Sequence, residues 1–554
     1  MQRHLGNWLI LAALLAATVV LRSARLGALS FWFDESMSWK YTTFSSEEIL
    51  ERLAGDVHPP LYFLVLKGWA ALWGESPAAL RSMSVLFGTL TVIGSYLFVR
   101  EAYRPVEKGE QVSNGGWRRE DRGSRCASTS FSTDGHAGDA SRSEWAALTA
   151  AALVALSPMQ IEWSMMVRMY ALLATQAVFS AWFLMRALRR SGPRRLDWTL
   201  FTVTAILLAY THYFGLFTLT AEFLFAGIYV WRSRTSAESP VPSETQRSVP
   251  VGGALIGLTF PKAVPMLLSA WAVAAACSLW IEDFLEQRRL VVDSFWSRPL
   301  DLDGIGICFF QMFGVHEWEP ALAFEGLIMA QAAIVGILLV MLSGRPGDIL
   351  VGLAASFPFV AAIGVSLVGR NIFFTRYLIA GHLFLLIAGA VVLSRVPLWP
   401  VRLLAILLAL CGMSLLSWKH YERRERLAQL PGMQGVITRF EESRQPGEPL
   451  VVCNPMLYTS VFAYSQHRGD CFVAAGRYPH YQGTAVLREE EYFPRERLAN
   501  GSCQVVWTLN ANQWHGGNWA VPMPKGWKVV GDWRFPEYYC GELVLRMYKH
   551  DLEQ

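Results

Sequence analysis

The chain has 554 residues, of which 53% are hydrophobic and 17% are charged, and its formal net charge is +4. A soluble chain carries about 25% charged residues, so this deficit and the repeated apolar blocks exclude an ordinary soluble protein and indicate a polytopic membrane protein. The small positive charge lies in no base-reading motif, which argues against nucleic acid as a partner.

Eleven apolar blocks are long enough to be membrane spans. Because backbone in a bilayer must satisfy its own hydrogen bonds, these blocks predict α-helices. The predicted spans are 8–27, 80–100, 145–164, 165–187, 196–212, 213–231, 263–281, 321–342, 348–367, 377–394 and 398–417.

Lys and Arg residues concentrate in loops 100–144, 186–195 and 232–262. Cytoplasmic loops carry such an excess, so we predict that these loops and the N-terminus are cytoplasmic and that the C-terminus is outside. Arg22 and Arg25 break the rule by lying on the outer side. They are therefore candidate ligands for an anion, with simple snorkelling to the interface as the alternative.

The first outer loop, 28–79, is predicted to be structured. Ser45 or Ser46 is a suitable cap for a helix that follows. The apolar run 61–73 is too short to span comfortably, and we expect it to lie in the membrane interface. Segment 104–144, rich in Ser, Gly and Arg, is predicted to be a disordered cytoplasmic loop.

A transmembrane domain, 1–420, is expected to be followed by a soluble domain, 421–554, outside the membrane. Runs 450–453, 503–507 and 543–547 read as strands, which predicts a small periplasmic α/β domain. Four cysteines in this domain permit two disulfides in any of three pairings, with free buried thiols as the alternative: Cys453, Cys471, Cys503 and Cys540.

Two adjacent carboxylates, Asp34 and Glu35, follow the first span and are flanked by Trp32 and Phe33. Such aromatics belong at the membrane–water interface. A carboxylate in a partly dry place gains basicity and can act as a general base. The alternatives are solvated loop acids or a cap for the next helix.

His58 precedes Pro59-Pro60, which suit the first turn of a helix. The histidine would then sit at a positive helix terminus that attracts anions, unless it is an incidental residue of a turn. Asp56 and His58 could bind a metal together with Asp34, although the spacing does not demand one.

Further cations and aromatics fall at the outer ends of spans: Arg168, Tyr170, His212, Arg376 and Tyr377. An Arg in such a place usually faces a cavity, a headgroup or an acid, and a purely structural pair of Arg168 with Glu162 is the alternative. Several cations and an acid on one face of the membrane indicate a site for an anionic lipid.

Five motifs in this order resemble one family: Trp32-Phe33-Asp34-Glu35, His58-Pro59-Pro60-Leu61-Tyr62, the segment 74–81 that ends in Arg81, Arg168-Met169-Tyr170 and Arg376-Tyr377-Leu378. The family is that of the bacterial membrane glycosyltransferases related to protein O-mannosyltransferases and to lipid A aminoarabinose transferase. The resemblance covers about residues 5–420 and implies the C-type glycosyltransferase fold.

The resemblance implies inverting transfer of a sugar from a polyprenyl-phosphate donor to an acceptor at the outer face of the bacterial cytoplasmic membrane. Asp34 would be the catalytic base with Glu35 beside it. His58 stands where the aminoarabinose enzymes have a Lys that contacts the lipid phosphate, which leaves Arg168 and Arg376 as the stronger phosphate ligands.

Tyr377 would complete the phosphate site implied by this resemblance, with support from a second group: Arg22, Arg25, Tyr170 and His212. No cofactor is required, and metal dependence stays open. The sugar is unspecified, and the acceptor could be a glycan, a lipid or a protein. The competing hypotheses are a flippase or transporter of lipid-linked saccharides, which would need internal repeats and charges at mid-bilayer, and a non-enzymatic envelope scaffold.

Overall fold

The computed structural model describes residues 2–105, 134–190, 195–235, 262–294, 297–314, 320–499, 503–514, 517–537, 539 and 541–550. The helices of the first half are α1 (Gln2–Ser23), α2 (Phe33–Tyr41), α3 (Ser46–Ala54), α4 (Leu61–Trp73), α5 (Pro77–Tyr103), α6 (Asp134–Leu156), α7 (Pro158–Ser164), α8 (Tyr170–Arg189), α9 (Arg195–Thr211) and α10 (Phe214–Thr235). The next are α11 (Ala263–Ser278), α12 (Ile281–Ser294), α13 (Leu302–Phe313), α14 (Ala323–Met341), α15 (Pro346–Val368), α16 (Ile379–Ser394) and α17 (Trp399–Ala428).

Eight of the described helices are long and apolar enough to cross a membrane. The number rises to ten when two bent pairs are each taken as one span, namely α6 with α7, bent by 60°, and α11 with α12, bent by 64°. The remaining predicted block coincides with α9, which has 17 residues. Every predicted block therefore overlaps a described helix, and the prediction of a polytopic α-helical membrane protein is confirmed.

Helices α2, α3 and α4 structure the loop 28–79. Ser45 caps α3, because its hydroxyl accepts the backbone N–H of Glu48 at 3.0 Å. Along α4, Lys67 donates to the backbone oxygen of Phe44 at 2.6 Å, and the indole of Trp69 donates to that of Ala79 at 2.9 Å. Both partners flank α4 within this loop or at the start of α5, so α4 lies along the loop and does not cross the bundle.

The chain after α17 forms a domain with a mixed sheet. Its helices are α18 (Gly432–Ser443), α19 (Pro455–Tyr464) and α20 (Glu496–Ala499), and its strands are β1 (Leu450–Val452), β2 (Cys471–Ala474), β3 (Tyr492–Phe493), β4 (Val505–Trp514), β5 (Gly517–Trp519), β6 (Trp527–Glu537) and β7 (Gly541–His550). The strand order is β3-β2-β1-β4-β7-β6, with β5 paired to β4. Strands β1 to β4 run parallel where they pair along this path, and β7 is antiparallel to β4 and β6. The α/β prediction is confirmed.

This domain packs on the loop 28–79. Ser36 of α2 is 2.9 Å from the hydroxyl of Ser460 on α19, and Lys40 donates to Glu491 at 2.5 Å. The loop and the domain therefore lie on one face of the bundle, here called the site face. Two segments on the same face must be separated by an even number of crossings. The first of the eleven predicted spans precedes the loop, so ten spans lie between the loop and the domain, as this requires.

Cys453, Cys471 and Cys503 are buried free thiols, so the two-disulfide alternative is wrong for these described residues. Burial raises the pKa of the Cys453 thiol to about 12, which leaves it poorly reactive. Cys540 lies outside the described residues, as does most of the predicted disordered loop 104–144, into whose end α6 extends.

Candidate active site

A cavity of about 720 Å³ opens on the site face between the loop 28–79, the ends of several spans and the C-terminal domain. It brings together residues that are far apart in sequence. Its walls are formed by Phe33, Asp34, Met37, Tyr41, Asp56, Val57, His58, Phe63, Arg168, Arg298, Asn371, Phe374, Arg376, Tyr377, Met456, His480, Tyr481, Gln482, Gly483 and Trp519. Five of the predicted site residues are in this wall: Asp34, His58, Arg168, Arg376 and Tyr377.

Asp34 lies in the first turn of α2, where the helix dipole favours a negative charge. Its side chain is 17% exposed, and its Oδ2 is 3.8 Å from Nη2 of Arg168. The carboxylate therefore faces the cavity while it remains accessible to a ligand. This is the arrangement that a general base requires, since it must reach the proton that it removes.

Arg168 holds this part of the cavity together from the connection between α7 and α8. Its Nη1 donates to the backbone oxygen of Asp34 at 3.4 Å and to the hydroxyl of Ser38 at 3.3 Å. Burial works against its charge, but the Asp34 carboxylate and Tyr170 more than offset burial and raise the pKa of Arg168 above its ordinary value. Arg168 is therefore a permanent, buried cation beside Asp34, and the purely structural pairing with Glu162 is not observed.

His58 completes a chain of contacts that starts at Asp56. Its Nε2 is 3.1 Å from Nη2 of Arg168, and its Nδ1 is 3.5 Å from Oδ1 of Asp56. A guanidinium can only donate, so Nε2 of His58 is the acceptor in this hydrogen bond, and Nδ1 is the ring nitrogen on the side of Asp56. Burial opposes ionisation of Asp56, but His58, Tyr41 and the N–H of Val57 lower its pKa to about 2. His58 thus connects Asp56 to Arg168 and orients the guanidinium.

Arg376 and Tyr377 enter the cavity from a short 3-10 turn, Thr375–Leu378, that precedes α16. The guanidinium of Arg376 lies 5.4 Å from the ring centre of Tyr377. Behind Tyr377 are the rings of His212 at 5.3 Å and Tyr170 at 6.3 Å. Tyr170 and His212 are therefore packing supports of the wall and do not line the cavity.

Glu35 has a different role from its neighbour. Nε and Nη2 of Arg81 donate to its two carboxylate oxygens at 2.8 and 2.6 Å, and the N–H of Val167 donates to Oε1 at 2.8 Å. Its side chain is 2% exposed and does not line the cavity. The expectation that Glu35 shares the catalytic site is corrected by this geometry, because α2 turns its carboxylate away from Asp34 and into the bundle.

Arg22 and Arg25 also lie away from the cavity. Arg22 is fully buried, and it donates to the backbone oxygens of Ala155 at 3.0 Å and Val154 at 3.1 Å. It therefore links α1 to the end of α6. Arg25 is exposed and forms an ion pair with Glu425 on α17. Neither is available to an anion in the cavity, so their predicted supporting role is not what the geometry shows.

The sequence did not reveal the wall that the C-terminal domain contributes, which includes the loop 480–483 and Trp519. Gly483 of this loop lies against Met37 of α2. Its φ is +82°, and a Cβ added there would be 2.5 Å from Sδ of Met37. Only glycine adopts this conformation and contact without strain. No motif in the loop signals this role.

Charges in the cavity are nearly balanced. Three guanidinium groups, those of Arg168, Arg298 and Arg376, face two carboxylates, those of Asp34 and Asp56. The surplus of one positive charge suits a ligand with one negative charge. Among the described residues no three His, Cys, Asp or Glu side chains are placed to hold a metal ion, so the possible set Asp34, Asp56 and His58 is not assembled.

No protein-family model matches the chain, and no curated protein sequence matches it. Solved structures match over nearly the whole chain. ArnT from Cupriavidus metallidurans in the apo state has 12% sequence identity, covers 98% of both chains and gives a TM-score of 0.58. The same protein bound to undecaprenyl phosphate has 13% identity, covers 97% of both chains and gives a TM-score of 0.55.

The match includes the C-terminal domain, so it extends past residue 420, where the resemblance in sequence ends. At these identities the likeness is one of fold. The fold that the five motifs predicted is confirmed, and the chain has the C-type fold of membrane glycosyltransferases.

Proposed function

We propose that the protein is an inverting glycosyltransferase that moves a sugar from a polyprenyl-phosphate donor to an acceptor hydroxyl at the outer face of a bacterial cytoplasmic membrane. The observation that carries this proposal is the convergence of Asp34, Arg168 and Arg376 in one cavity beside the membrane. The fold is shared with a protein that binds undecaprenyl phosphate, which supports the class of donor.

The charges of the cavity match the charge of such a donor. A sugar joined to a polyprenyl chain through one phosphate carries a single negative charge, which the surplus positive charge of the wall can neutralise. Arg168 and Arg376 are always protonated and can each bind phosphate oxygens through two N–H groups. We infer that they hold the donor phosphate and that Arg298, which is exposed at the rim, assists.

The reaction then follows from the position of Asp34. Its carboxylate accepts the proton of the acceptor hydroxyl while the hydroxyl oxygen forms a bond to the anomeric carbon. The bond from that carbon to the phosphate oxygen breaks, and polyprenyl phosphate leaves with an additional negative charge. A single displacement of this kind inverts the anomeric centre. Arg168 and Arg376 stabilise the charge as it develops, where low polarity strengthens their effect.

His58 contributes by position. Its Nε2 contacts Arg168 and its Nδ1 faces Asp56, so it fixes the plane of the guanidinium that meets the phosphate. This accounts for a histidine at the place where the similar aminoarabinose enzymes have a Lys. The positive charge is supplied by Arg168 and Arg376.

The C-terminal domain forms the opposite wall, so we infer that it helps to select the acceptor. The residues in question are His480, Tyr481, Gln482 and Trp519. Tyr and Trp rings stack on sugars and bind apolar ligands, and the amide of Gln482 can bond hydroxyl groups. Deletion of 430–554 without any change in acceptor preference would remove this part of the proposal.

The experiment that tests the function compares envelope glycans and glycolipids by mass spectrometry in cells with the wild-type chain, with Asp34→Asn and without the chain. We expect one class of envelope molecule to carry an added sugar mass with the wild-type chain alone. A sugar addition that persists with Asp34→Asn would exclude Asp34 as the base. Equal glycan profiles in all three strains would favour a scaffold, and altered distribution of a lipid-linked sugar across the membrane without transfer would favour a flippase.

A further inference from the structure

A second cavity, of about 310 Å³, lies on the site face where α17 leaves the apolar part of the bundle. It is separated from the active-site cavity by a thin wall. Thr375 lines the second cavity while its neighbour Arg376 lines the first, and the ring of Trp163 in the second cavity is 4.6 Å from that of Tyr170. The proposed transfer reaction uses none of the side chains that line this second cavity.

The lining of the second cavity is both cationic and apolar. Its residues are Pro158, Met159, Glu162, Trp163, Gln311, Gly314, Thr375, Leu416, Lys419, His420, Glu422, Arg423 and Arg426. Three cations, Lys419, Arg423 and Arg426, stand four and three residues apart on α17, which places them on one side of the helix. They outnumber the two carboxylates in the lining by one.

The position along α17 is that of a membrane surface. The apolar run of this helix ends near Leu416, and the charged run begins at Lys419. Leu415 and Trp418 are 59% and 69% exposed on another side of the same turns, as is expected of residues that face lipid. The cations of the second cavity therefore lie at the depth of lipid headgroups.

A buried polar atom points to a ligand at this place. Nδ1 of His420 is 3.0 Å from Oε2 of Glu162, and both residues are more than nine-tenths buried. The opposite ring nitrogen, Nε2 of His420, is buried and has no hydrogen-bond partner among the described residues. Buried polar atoms are usually satisfied, so an unsatisfied one in a cavity wall indicates a missing partner.

We propose that the second cavity binds the phosphate-bearing headgroup of a membrane lipid, separately from the donor phosphate in the active site. Lys419, Arg423 and Arg426 neutralise the phosphate, Nε2 of His420 bonds the headgroup, and the exposed apolar face of α17 lies beside the lipid tails. The proposal stands apart from the transfer reaction, because it rests on residues of the other cavity.

The test is a site-specific crosslink in the full chain. The photoreactive residue p-benzoylphenylalanine is placed at position 416, and the protein is reconstituted in vesicles of phosphatidylcholine alone or of phosphatidylcholine mixed with phosphatidic acid. The amount of each lipid joined to the protein after illumination is measured by mass spectrometry. We expect strong preference for phosphatidic acid, reduced roughly fivefold for each cation removed in Lys419→Gln and Arg423→Gln.

The matched control is Arg402→Gln, an arginine on the same helix at roughly 30 Å from the second cavity, which should leave the preference unchanged. Lys419 is exposed, so Lys419→Gln should fold. If Arg423→Gln fails to fold, the crosslinking of Lys419→Gln alone tests the proposal. Equal crosslinking of the two lipids, or a preference that survives both substitutions, would overturn the proposal. Loss of the crosslink on addition of inorganic phosphate at constant ionic strength would assign the site to a free anion and overturn the lipid assignment.

Discussion

The different roles of two adjacent acids lead to a strong prediction for Glu35→Gln. In the wild-type chain Arg81 and Glu35 form a two-pronged ion pair with side chains 3% and 2% exposed. Removal of one charge leaves the guanidinium of Arg81 buried without compensation and places an amide NH₂ against one of its donors. Loss of one partner of a buried pair costs about 3–5 kcal/mol, and we expect the lower end, ~3 kcal/mol, because glutamine keeps one oxygen as an acceptor.

The assay is thermal unfolding of the purified full chain in detergent, followed by loss of the monodisperse peak in size-exclusion chromatography. For a chain of 554 residues, a loss of ~3 kcal/mol corresponds to a fall in the midpoint of roughly 3 °C. The matched control is Glu47→Gln, which removes an exposed carboxylate from the same loop and should leave the midpoint unchanged. The pair Arg81→Met with Glu35→Gln should recover part of the loss, because no buried charge then remains unpaired.

Asp34→Asn provides the contrast, since Asp34 is partly exposed and its contact with Arg168 is 3.8 Å long, so its substitution should lower the midpoint by less than Glu35→Gln does. The reasoning would be refuted if Glu35→Gln unfolded at the wild-type temperature and nevertheless lost all transfer activity. That result would restore Glu35 as a catalytic group and would mean that its ion pair with Arg81 is dispensable for the fold.

Three further predictions concern the walls of the active-site cavity. Gly483→Ala should weaken the docking of the C-terminal domain by about 1–2 kcal/mol, because alanine is strained at φ +82° and its Cβ meets Met37; faster limited proteolysis of the domain would show this, and unchanged proteolysis would argue against the contact. His58→Lys should lower the affinity for polyprenyl phosphate at least about tenfold, since an ammonium would replace an acceptor 3.1 Å from Arg168; tighter binding would show that this position is a phosphate ligand. Arg376→Ala should weaken binding of polyprenyl phosphate by about 2 kcal/mol, and equal affinity in a binding titration would remove Arg376 from the phosphate site.

Much of the fold follows from local patterns in the sequence. Long apolar blocks can satisfy their backbone hydrogen bonds in a membrane only as helices, so each predicted block overlaps a helix. The cap of α3 at Ser45 and the strands of the C-terminal sheet follow from equally local rules. The placement of Asp34, Arg168 and Arg376 on one face was also predictable from topology, whereas their meeting in one cavity depends on packing.

What could not be predicted depends on contacts between distant residues. Adjacent acids on a helix point about 100° apart. No local pattern indicates that Glu35, the second of the two acids, pairs with Arg81. From the sequence, Arg22 is a candidate anion ligand. Its burial against the end of α6 depends on how the helices pack, and no local pattern shows it. The loop 480–483 has no periodic pattern, so its place in the cavity wall was visible only once the domain was docked.

The central claim is that Asp34 removes the proton of the acceptor while the cations hold the donor. The most direct test measures both steps on one variant, with purified full-length Asp34→Asn, labelled polyprenyl phosphate for binding and a polyprenyl-phosphate sugar with the acceptor identified from the envelope for transfer. We predict binding of polyprenyl phosphate within about twofold of the wild type and transfer slower by roughly 10²–10⁴-fold, as expected for loss of a general base. Transfer by Asp34→Asn within tenfold of the wild-type rate would contradict the account.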